Sequence, residues 1–81
     1  MYTSEMASAF RSLDHYCPAG FRLQVIDNGQ FISLKAEEAD FMRLDDFNKR
    51  RAVEYIVLAK KALEQNGAIV LVVRTGGEDI V

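Results

Sequence analysis

The stretch FRLQVIDNGQFISLK, residues 21–35, constrains the fold more than any other part of the chain. Apolar and polar residues alternate on both sides of Asn28-Gly29, the usual signature of a β-hairpin closed by a two-residue type I′ turn. Both central positions of that turn need φ > 0, which Asn tolerates and Gly takes freely. Pairing outward from the turn sets Ile26 opposite Phe31, Val25 opposite Ile32, Leu23 opposite Leu34 and Arg22 opposite Lys35. Phe21, Leu23, Val25, Ile32 and Leu34 then share one face, and Arg22, Gln24, Ser33 and Lys35 share the other. A slip of one residue would scramble this separation. Ile26 and Phe31 form the one apolar pair on the polar face.

Two helices are expected to flank the hairpin. Residues 4–17 place Tyr2, Met6, Phe10, Leu13, Tyr16 and Cys17 on one helical stripe, with Thr3 or Ser4 as N-cap and Pro18 as the stop. The sole histidine and sole cysteine lie in this helix end, in the stretch DHYC. Residues two apart on a helix do not face each other. His15 is therefore expected on the polar side and Cys17 in the core, as a small hydrophobe.

Residues 46–66 form the longest helical pattern, capped by Asp45 or Asp46 and closed at Asn66-Gly67. Its core face is Ala52, Tyr55, Ile56, Ala59, Ala62 and Leu63, with Phe47 and Leu58 at one margin. Between hairpin and helix, residues 36–46 can be read as a short helical turn or as a third strand. Their Ala, Glu, Met, Arg and Leu content favours the helix.

The run AIVLVV, residues 68–73, is apolar without alternation and predicts a strand buried on both faces. The tail TGGEDIV is expected to be mobile. The order α-β-β-α-β makes a single domain over residues 1–81, of the α+β class, with a small sheet packed against helices. A right-handed crossover would return the last strand beside the hairpin.

Composition narrows the function classes. One cysteine excludes an internal disulfide, and one histidine with one cysteine is too few for a Cys/His zinc site, so no metal or cofactor is expected. RTGGE lacks the lysine and following helix of a phosphate-binding loop, and no carboxylate pair or nucleophile–base set is legible. A domain of this size also has little depth for a substrate pocket. The expectation is a protein that is not an enzyme. No secretory signal or membrane span is visible, and a lone thiol suits the cytoplasm. A net charge of −2 gives no general pull toward nucleic acid.

Two apolar patches are left over. The hairpin has one polar face but AIVLVV has none, so either Ile69/Leu71/Val73 or Val70/Val72 must turn outward unless the first helix crosses that face. Val70 and Val72, with Ile26 and Phe31, are taken as a candidate partner-binding or homodimer patch on the outer sheet face. On the long helix, Val53 and Val57 fall opposite the core residues, framed by Lys49, Arg50, Lys60 and Lys61. An apolar centre with a basic rim suits a protein partner.

The expected function is a stoichiometric protein-binding module: a regulator, inhibitor or adaptor. Phage and mobile-element proteins directed at host machinery, such as defence systems, are comparable in size and type. The alternative is an accessory nucleic-acid binder using the basic side of the long helix. Against it, acidic residues interrupt that surface and no aromatic is interleaved for stacking.

Overall fold

The computed structural model describes residues 1–76. Its elements are α1 (Ser4–Arg11), a 3₁₀ turn (Asp14–Tyr16), β1 (Leu23–Asp27), β2 (Ile32–Glu37), α2 (Glu38–Met42), α3 (Asp46–Gln65) and β3 (Val70–Thr75). The order is α-β-β-α-α-β, an α+β domain on a three-stranded mixed sheet with β2 in the centre. β1 and β2 are antiparallel, and β3 lies parallel to β2 on its other side. Residues 36–46 hold the short helix α2 that their composition favours. Thr75 belongs to β3 and Gly76 follows it at φ 99°; the rest of the tail expected to be mobile, residues 77–81, lies outside the described residues.

The first helix stops six residues earlier than expected. Thr3 caps it, its hydroxyl accepting from the Met6 N–H at 3.1 Å. The Ser12 hydroxyl then donates to the Ala9 carbonyl at 2.7 Å. Local side-chain bonds of this kind compete with continued α-helix. The chain tightens into i→i+3 bonds, Leu13 N–H to Phe10 C=O and Tyr16 N–H to Leu13 C=O. Tighter winding brings Leu13 and Tyr16 to one side, and both pack on the core. DHYC is a helix end: His15 is exposed, while half-buried Cys17 donates its Sγ–H to the Phe21 carbonyl at 3.2 Å.

The hairpin register is a correction. Ile26 faces Ser33, Val25 faces Leu34, Gln24 faces Lys35 and Leu23 faces Ala36, so the loop is four residues long rather than two. Among the described residues no non-glycine residue has φ > 0, so Asn28 does not build a type I′ turn; only Gly29 is left-handed there, at φ 88°. Asp27 explains the wider loop. Its carboxylate accepts from the N–H of Gly29 and of Tyr2, each at 2.9 Å, and pairs with the N-terminal ammonium at 2.9 Å. Asn28 Nδ2 donates to Ser33 Oγ at 3.0 Å. The displacement is two residues, so the side chains within the strands keep their expected faces, while Phe31 passes into the loop. Arg22 and Lys35 are no longer opposed, which removes a like-charge pair.

All helices that contribute to the core pack on one face of the sheet. Ile32, Leu34 and Ala36 of β2 meet Ala52, Tyr55, Ala59 and Leu63 of α3, the buried stripe read from its sequence. α1 packs beside α3 on that same layer, with the Phe10 and Tyr55 rings stacked at 6.1 Å, and so leaves the opposite face open. Burying a side chain such as Leu63 or Leu34 contributes roughly 1.5–3 kcal/mol. Phe47 departs from its expected margin and is exposed; Phe41 of α2 packs edge-on against Phe21 at this end of the core instead. Asp45 caps α3, its Oδ1 accepting from the Asn48 N–H at 2.8 Å. At the far end Gly67, at φ 95°, lets Ala68 N–H reach back to Leu63 C=O at 3.1 Å and close the helix. Among the described residues no helix is long and apolar enough to cross a membrane.

Candidate interaction surface

β3 is the place where hydrophobicity and burial part company. Its apolar run predicts a strand covered on both faces, yet it lies at the sheet edge and only Val70 is buried. Val70 packs into the core cluster with Ala59 and Leu63 of α3, whereas Val72 borders an open hollow beside Val53 and Ile56. Val70 is 6% exposed and Val72, two residues on along the same face, is 46% exposed.

Parity decides which side chains look outward. Ile32 faces Val70 and Leu34 faces Val72, which puts both valines on the helix side of the sheet. Leu71 and Val73 occupy the open face instead, Leu71 beside Ser33 and Val73 beside Lys35. The Val70/Val72 pair is therefore not the outer set. Val70 belongs to the core, and Val72 is exposed along the edge. On the open face a row runs Ile26–Ser33–Leu71, with half-buried Ile26 and exposed Leu71 on either side of a small serine. Phe31 does not face Ile26. It sits in the hairpin loop and lines a hollow with Met1, Gln30 and Ile69.

The fold joins what the sequence leaves apart. Val53 of α3 and Val72 of β3, assigned to separate patches, line one shallow apolar hollow of about 210 Å³ together with Phe21, Phe41, Ile56 and Val73. Val57, one turn along α3 from Val53, continues the exposed apolar strip, at 48% against 50% for Val53. The helix wheel finds Val53 and Val57. The wheel places Ile56 on the core face, and Phe41 reaches the hollow from α2; the choice between Leu71/Val73 and Val70/Val72 stays open in the sequence, because nothing in an unbroken apolar run fixes the parity of a strand or its place at an edge.

The basic rim is only partly free. Lys60 pairs with Glu64 at 2.6 Å, and the Lys49 ammonium stands 6.0 Å from the centre of the Phe41 ring. Arg50 and Lys61 are exposed. Arg74, at the far end of β3, pairs with Glu38 at 3.0 Å.

Tyr55 and Cys17 are held in their protonated forms. Burial pushes the Tyr55 phenol up to about 12, with Cys17 and Asp14 nearby adding to the effect. Burial also raises the Cys17 thiol, with Asp14 adding to it, so the thiolate needed for nucleophilic chemistry is disfavoured. Among the described residues no three His, Cys, Asp or Glu side chains converge as a metal-ligand set. Compared with protein-family models, with curated proteins and with solved structures, the chain matches none of them.

Proposed function

We propose that this chain is a small non-enzymatic protein-binding module that acts stoichiometrically, as a regulator, inhibitor or adaptor, through the edge formed by α3 and β3. The observation that carries this reading is the hollow that exposed Val53, Val72 and Val73 line together, with exposed Val57 one turn further along α3 and exposed Leu71 next in β3. Small soluble domains rarely expose contiguous apolar surface unless something covers it. A fitting partner offers apolar side chains to the hollow and carboxylates to Arg50 and Lys61 at its rim. Direction against host machinery, as in phage and mobile-element binders, is an analogy of size and type.

Capture of a partner from nuclease-treated lysate by a tagged chain tests the reading. The wild type should return one protein in near-equal amount. The double substitution Val53→Glu, Val57→Glu should lose it while keeping the circular dichroism of the wild type. Unchanged capture by that variant would remove this edge from consideration. Recovery that depends on intact nucleic acid would favour the basic side of α3 instead.

A further inference from the structure

The backbone of β3 says what kind of partner its edge takes. The Ile32 N–H donates to the Ile69 carbonyl at 2.8 Å, and the parallel register then continues along the strand. Alternation turns the N–H and C=O of Ile69, Leu71 and Val73 toward β2. Those of Val70, Val72 and Arg74 point the opposite way, off the sheet. Among the described residues β3 pairs with β2 alone. A row of outward donors and acceptors flanked by exposed apolar side chains is a template for another strand.

The row is also self-complementary. Its three outward residues are symmetric about Val72, so a second copy related by a twofold axis midway between the two Val72 residues, perpendicular to the sheet, satisfies all of them. In that antiparallel register Val72 exchanges both backbone bonds with Val72 of the other copy, and Val70 exchanges with Arg74. On the open face Leu71 meets Val73 twice, apolar against apolar. No like charges are opposed, and Arg74 already carries its own counter-ion in Glu38. On the helix side, Val53 and Val57 of the two copies line the trough between the two long helices.

We propose, resting on the α3–β3 edge being the interaction surface, that its occupant is a second copy of this chain. β3 pairs antiparallel with itself about Val72, giving a continuous six-stranded sheet with every helix on one face. The pairing covers the sheet edge that lacks polar side chains along its apolar run, and a domain this small gains stability from a partner that binds only the folded state.

Sedimentation equilibrium of the wild type, with cysteine cross-linking in a Cys17→Ala background, tests the proposal. The expected mass is twice that of one chain, and Val72→Lys should return it to the single-chain value. Val72→Cys should cross-link to its twin under mild oxidation. Hydrogen-bonded antiparallel partners have Cα atoms about 5.5 Å apart, within the range of about 4.4–6.8 Å that a disulfide spans. Leu71→Cys should not, since its counterpart is Val73. A single-chain mass for the wild type at every concentration would overturn the dimer, and a dimer that survives Val72→Lys would overturn its pairing through β3. Cross-linking of Leu71→Cys in place of Val72→Cys would overturn the register. A monomer whose partner capture is still lost in Val53→Glu, Val57→Glu would sink the dimer and leave the binding-module reading standing.

Discussion

The two edges of the sheet are built on opposite terms. β1 alternates its side chains, with Arg22 just before it and Gln24 and Asp27 within it exposed, and its loop end is held by the N-terminal ammonium and Tyr2 N–H on Asp27. β3 presents valine and leucine to solvent on both faces, and its charged residue, Arg74, comes only after the apolar run. Polar side chains are a standard way to blunt a strand edge against pairing. One edge carries this protection and the other lacks it. The proposed interface rests on this difference: on that reading, the unprotected edge is where another chain pairs.

The largest expected effect breaks both edges together. Leu63 is fully buried between α3 and the sheet, and Leu63→Ala should cost about 2–5 kcal/mol. That is a large share of the roughly 5–15 kcal/mol that stabilises a domain. Urea unfolding followed by circular dichroism measures it. A loss under 1 kcal/mol would mean that α3 is not the common support of the sheet.

A paired substitution separates the edges. Val72→Lys should weaken association at least tenfold, whereas Gln24→Lys on β1 should leave it within about twofold, both read by light scattering over a dilution series. Equal effects would erase the contrast. A smaller effect reports on α3 alone. Asp45→Ala removes the cap on Asn48 N–H and should cost about 1 kcal/mol without changing association.

The smallest effect concerns the protected edge and is read against pH. Asp27 is held below the usual carboxylate range by the N-terminal ammonium, with the N–H groups of Gly29 and Tyr2 adding to it. A folded-state pKa that is depressed gives stability present above the unfolded value, about 3.9, and lost as pH falls through the folded one. The melting temperature of the wild type should therefore fall more steeply on acidification through this window than that of Asp27→Asn. Parallel curves would mean that the N-terminus does not hold the loop.

Much of the fold is legible in the sequence because it is local. Thr3 and Asp45 announce their helices, Ala52, Tyr55, Ala59 and Leu63 declare a core stripe, and alternation assigns the hairpin faces. What escapes is governed by ambiguity of period or by distance. A two-residue slip preserves alternation, so only the bonds of Asp27 and Asn28 choose the four-residue loop. The stop at Ser12 depends on one hydroxyl bond. The parity and edge position of β3 are set by its pairing with β2, some forty residues earlier in the chain. Hence Val53 and Val57 are legible as a candidate surface, Val72 is paired with a core residue in Val70, and only the register chooses Leu71 and Val73 over Val70 and Val72 as the set on the open face.

Amide exchange at β3 tests most directly whether the open edge is covered by another chain. The Leu71 and Val73 N–H groups point toward β2 and should be protected in any state of the folded protein. The Val72 N–H points off the sheet, so its protection requires a second strand. In the wild type at a concentration where it assembles, the Val72 amide should exchange as slowly as its two neighbours. Fast exchange at Val72 beside slow exchange at Leu71 and Val73 would show an edge that stays open, and would contradict the strand-pairing interface.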